Sequence, residues 1–246
     1  MKIDTNEMAK VEHATAAAPR VDLYRGIHKA LRALMADILV AVGRMDPEDE
    51  SEFDWVSSRV LQLADVCTSH LMHENEFVHG AMEACQPGSS GRIAHEHLEH
   101  GDAIARLKDA VQQMRASQGA RRAREALVLY RQLALFVAHN FEHMHTEETA
   151  HNQVLWAHYS DEELMALHTR LVASLPPEEN LFALRWMVPA MTPAERLQVL
   201  GDMQAHAPAP AFAAALDVVQ PHLDLRGWGK LSRGLNLAPV AGLVEV

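Results

Sequence analysis

The stretch HLMHENEFVH, residues 70–79, and its later counterpart HNFEHMHTEET, residues 139–149, decide how the chain reads. Each contains His-x-x-x-Glu, once as His70/Glu74 and once as His143/Glu147. Four residues are just over one turn of an α-helix, so the two side chains of each pair lie one above the other on a single face. Each pair therefore aims an imidazole and a carboxylate at one spot. Both pairs sit inside long apolar-periodic stretches, so the spot belongs on the packed side of a helix.

Working outward from the first pair, Val56, Val60, Leu63, Cys67, His70, Glu74, Phe77 and Ala81 form one helical stripe, which QPGSSG at 86–91 breaks. Around the second pair, Ala126, Leu129, Leu133, Phe136, Asn140, His143, Glu147, Ala150 and Val154 keep the same register. An earlier helix carries Val21, Tyr24, His28, Leu31, Met35, Ile38 and Val42 and ends near Gly43. The DPED that follows predicts the next helix start, with Asp46 as cap, Pro47 first and Asp49 third. A helix with Ile93, His97, His100, Ile104, Leu107, Val111 and Met114 lies between the two motifs and turns at ASQG, 116–119. Four helices with short connections predict an all-α protein built on an antiparallel up-down four-helix bundle over residues 21–159. Its halves match: one helix with a single in-stripe histidine, His28 or His97, then one with a His-x-x-x-Glu pair. Residues 1–20 are small and polar and read as a flexible N-terminal arm. Residues 160–246 read as a C-terminal extension of short helices between prolines, with capping boxes at Ser160/Glu163 and Thr192/Glu195.

Composition narrows the chemistry. A formal charge of −11 argues against general binding to nucleic acid or anionic lipid, both of which need clustered Lys and Arg. Two cysteines, Cys67 and Cys85, are too few for a disulfide framework. With no signal-peptide pattern and no run of about 18 apolar residues, a cytoplasmic, soluble protein is expected. The outlier is histidine: 16 copies, 11 of them between residues 70 and 158.

A lone histidine on an apolar stripe is usually a hydrogen-bonded core residue. Two carboxylates and four imidazoles pointed into one core are another matter, because burying such ions unpaired costs several kcal/mol each. A cation removes that cost, and imidazole with carboxylate suits iron, manganese or zinc. His73, His79, His95, His145 and His151 fall off the stripes, which predicts outer-layer or surface positions. His139-x-x-Glu142-His143 also matches an inverted zinc-protease pattern, but that reading leaves His70/Glu74 unexplained. Cys67 reads as a small apolar filler.

The paired His-x-x-x-Glu with single upstream histidines resembles the hemerythrin-like HHE group of four-helix bundles, which hold a non-haem di-iron centre. The resemblance covers about residues 21–158. It implies two iron ions, with manganese or zinc as substitutes, held by His28, His70, Glu74, His97, His143 and Glu147, with the two glutamates as bridges. Oxygen-carrying members show two histidines four residues apart on the third helix and an aspartate five after the last histidine. Here Ile93 and Gly101 flank His97, and His100 is the best substitute for the missing ligand. An open iron position implies reaction with O2, NO or peroxide, in oxidative or nitrosative stress defence or sensing, rather than reversible carriage. The alternatives are an iron sensor or store whose metal occupancy controls a partner surface, and a purely structural metal bundle. The C-terminal part looks like an extension that some bacterial members carry, and a homodimer or protein partner through it is expected.

Overall fold

The structure, a computed structural model, describes residues 6–9, 11 and 20–237. Among these residues there is helix but no strand. The bundle is made of four helical runs. α1 is Arg25–Arg44. The second run is α2, Glu50–His73, continued by a π-helical segment, Glu74–His79, and α3, Gly80–Cys85. The third is α4, Gly91–Arg115. The fourth is α5, Gly119–Thr146, continued by a second π-helical segment, Glu147–His151, and α6, Asn152–His158.

The apolar stripes fill the interior: Met35 and Ile38 of α1, Val60 and Leu63 of α2, Val111 and Met114 of α4, and Leu129 and Leu133 of α5 are all buried. Each such side chain contributes roughly 1.5–3 kcal/mol by leaving water. At one end the guanidinium of Arg122 donates to the carbonyls of Ser117 and Pro47 and to the Glu50 carboxylate, and it stacks on Phe53, tying the two loops together. Helix α2 starts later than the DPED reading predicts. Asp49 is the cap and accepts from the Ser51 and Glu52 amides at 3.0 and 3.1 Å, while Asp46 only closes a turn onto the Glu48 amide. Pro47 and Glu48 are consumed by that turn, so the helix cannot begin until Glu50.

At the other end Tyr24, Val78, Met82, Leu155 and Leu164 form a small core. Arg20 donates to the carbonyls of Trp156 and Tyr159 and pairs with Asp161, while the Trp156 indole donates to the Val21 carbonyl. Most of the arm expected over residues 1–20 lies outside the described residues. Residues 6–9 are helical, and the Glu7 carboxylate is 2.9 Å from His145 Nε2. α7, Asp161–Ser174, starts at the expected Ser160/Glu163 capping box.

The chain divides into two compact units, Met1–Arg25 with Leu34–Ser174, and Gly26–Ala33 with Leu175–Val246. In the second, α8 (Pro177–Ala190) and α9 (Pro193–His206) open with proline at the first turn, where the missing N–H costs nothing. α10, Ala209–Val219, and α11, Leu225–Gly234, complete it. Leu184, Val188, Leu200, Ala215, Val219, Leu231 and Leu235 form its core, with Met187, Phe212 and Trp228 against it. Glu195 closes the Thr192 capping box and also takes the Lys29 ammonium at 2.7 Å. Those contacts hold its carboxyl at about 2 despite the opposing effect of burial.

Candidate metal centre

Both motif helices change character at the same point. The α-helix ends at the residue before the motif glutamate, and Glu74 and Glu147 each open a π-helical segment. Such widened turns recur at functional sites, and they shift the register of every residue beyond them. At about 100° per residue, an ordinary helix would leave His79 about 140° round from Glu74. The widened turn instead buries it: His79 is 5% exposed and His151 3%, beside Glu74 at 3% and Glu147 at 0%. Both histidines are buried, so a surface position is excluded for them; His79 owes this to the widened turn, whereas His151, four residues after Glu147, shares that glutamate's face in any helix. A 3.6-residue period cannot anticipate an extra residue in the turn, although the sequence does carry a hint, since a histidine follows each motif glutamate within five residues.

Around the glutamates the donors converge. His70 Nε2 is 3.2 Å from Glu74 Oε1, and His143 Nε2 is 3.3 Å from Glu147 Oε1. His97 Nε2 lies between the two carboxylates, 3.6 Å from Glu74 Oε2 and 3.7 Å from Glu147 Oε1. Glu74, His97, His143 and Glu147 each offer one atom, all within 4.8 Å of one another, and so do His79, Glu147 and His151.

The outer ring nitrogens fix how the inner ones face. His143 Nδ1 lies 3.0 Å from a Glu96 carboxylate oxygen, and His97 Nδ1 lies 2.8 Å from the Asn75 amide oxygen. A carboxylate and an amide oxygen only accept, so each Nδ1 carries the proton and each Nε2 presents a lone pair. The two Nε2 atoms stand 3.1 Å apart and face buried carboxylates. A cation among them would satisfy both nitrogens and both carboxylates at once. The residues therefore fit a metal ion.

Electrostatics agree. Burial, with the neighbouring histidines, pushes His97 down to about 3 and His151 down to about 4. Burial also lowers His79. At neutral pH these rings keep their lone pairs for a metal. Tyr24, whose hydroxyl is 3.0 Å from His151 Nδ1, is raised well above the ordinary phenol range by burial and by the charges of Glu147 and Glu74, so it stays protonated.

The remaining histidines sort clearly. His100 is buried, its ring 4.6 Å from that of His143 and 6.3 Å from Phe136, and its Nδ1 has no hydrogen-bond partner among the described residues. It belongs to neither donor group within the bundle unit. His28 is buried on α1, in the part of that helix grouped with the C-terminal unit. His73 stacks on Phe77, and His95 is exposed. His139 lines a groove with Glu96, His100, Phe136, Glu142 and His143 that runs beside the cluster. Burial holds the Cys67 thiol up at about 12, which suits an inert filler.

Imidazoles and carboxylates gathered inside four helices define a cation-binding helical bundle. The hemerythrin HHE cation binding domain matches residues 20–151, more than half of the chain, and the protein belongs to that family. No curated protein and no solved structure matches it. Among the described residues no helix is long and apolar enough to cross a membrane.

Proposed function

We propose that the protein holds two iron ions bridged by Glu74 and Glu147, and that it binds or reacts with O2, NO or peroxide in stress defence or sensing. The family resemblance implies His28, His70, His97 and His143 as the imidazole ligands. The observation that carries this reading is the pair of buried carboxylates flanking one imidazole nitrogen, His97 Nε2, at 3.6 and 3.7 Å. When bound there, iron supplies electron-transfer and diatomic-ligand chemistry, and manganese or zinc suits the same donors.

The chain's own residues do the rest. Glu96 and Asn75 hold two imidazoles in the tautomer that faces inward. The apolar stripes on either side exclude bulk water, which strengthens every interaction of the buried charges. The groove beside His143 gives a small molecule a way in. His100, neutral because burial lowers it to about 4, lines that groove with an unpartnered Nδ1 and either ligates or meets the incoming molecule.

The test is metal analysis and absorption spectroscopy of the iron-supplied full-length protein. At least two metal ions per chain are expected, with a spectrum that changes on adding O2, NO or peroxide. Full iron loading with no response to any of the three would turn the reading toward iron sensing or storage. A helical protein that takes up no metal would sink it.

A further inference from the structure

The resemblance accounts for His28, for one imidazole before each glutamate and for one on α4, but not for the buried histidines that follow each glutamate, His79 and His151. We propose that His79, Glu147 and His151 form an additional position for a divalent first-row cation, next to the one that His97 and His143 face. It needs only these three residues, so it does not depend on the iron pair being present.

Three features converge on it. The donors are an imidazole from each π-helical segment plus the carboxylate that opens the second segment, with one atom from each inside a 4.8 Å span. Two histidines and one carboxylate leave coordination sites open and suit zinc, iron(II) or cobalt(II). His79 is 5% exposed, and its Nε2 has no hydrogen-bond partner among the described residues. A buried imidazole left so is costly unless something binds it. The rings are also held in place: His79 stacks on His97 with centroids 4.8 Å apart and meets His151 edge-on at 5.5 Å. Tyr24 takes the outer side of His151. With Nδ1–H donating to the phenol oxygen, His151 Nε2 carries the lone pair that a cation needs. Glu147 has two oxygens, so it can serve this position and its neighbour together, as a bridging carboxylate does.

Cobalt(II) titration of the chelator-treated full-length protein tests this. Replacing His79 and His151 together by Ala should remove about one bound cobalt per chain while the rest bind as in the wild type. Tyr24→Phe, which keeps the ring in the core, should weaken that one equivalent about 10-fold, the usual cost of losing an orienting partner. Glu74→Ala should instead reduce the equivalents assigned to the iron pair and spare this one. An unchanged cobalt count in the double variant overturns the additional position and leaves the iron pair standing. If the double variant fails to fold, anomalous diffraction from cobalt-loaded wild-type crystals decides. A peak bonded to both His79 and His151 supports the position, and peaks confined to the other histidines overturn it.

Discussion

Glu147 is an exacting residue, because its carboxylate is fully buried against the His143 and His97 imidazoles. Removing a carboxylate from water costs several kcal/mol, and a bound cation would offset that cost directly. Glu147→Gln should therefore abolish tight metal binding and with it the gain in melting temperature that added metal gives the wild type. Calorimetry of the variant and wild type with and without added metal checks this. The depressed histidines set the pH response. His97, held at about 3, and His100 and His151, held at about 4, stay neutral in the folded chain when the unfolded chain begins to take up protons near 6.5. The unfolded state binds more protons throughout that window, so stability falls as pH drops from about 6.5 toward 4. Urea midpoints of the metal-free protein at pH 7.5, 5.5 and 4.5 should decrease in that order. A flat profile would contradict the burial of these rings.

At the scale of elements, the helices could be read because each spends its apolar residues on one stripe, and turn chemistry at QPGSSG and ASQG separates them. The capping boxes at Ser160 and Thr192 could be read for the same reason, since their bonds are local. Two things could not. The cap of α2 sits at Asp49, because a proline turn at 46–48 uses up Asp46. Asp49→Ala should consequently lower the melting temperature clearly more than Asp46→Ala, as read by circular dichroism. The π-helical segments were equally hidden, because no residue type announces a widened turn. Of the site, Glu74, His97, His143 and Glu147 were legible as one face of three helices. His79 was not, because a strict helical period turns it about 140° from Glu74, and His151 was passed over because it falls outside the apolar stripe through Ala150 and Val154 although it stands one turn from Glu147.

For the whole molecule, metal binding and folding are linked. A cation at about 1,000 times its dissociation constant adds about 4 kcal/mol to the folded state, which corresponds to roughly 10 °C in a protein of this size. Chelation should lower the melting temperature by about that much, and adding back the metal should restore it. Identical melting before and after chelation would count against a buried site. The second unit carries its own core around Leu200 and Val219 and its own ion pair, Lys29 with Glu195.

The contact behind His143 has an electronic side as well. A ring that donates its outer N–H to an anion such as Glu96 takes on imidazolate character and pushes charge toward whatever its other nitrogen holds, whereas His97, backed by the neutral amide of Asn75, pushes less. An ion at this position is thus easier to oxidise than two equally backed imidazoles without the carboxylate would make it. Glu96→Gln should raise the midpoint reduction potential in a redox titration, and Asn75→Asp should lower it, so that the preferred oxidation state is set by which residue stands one layer behind the donors.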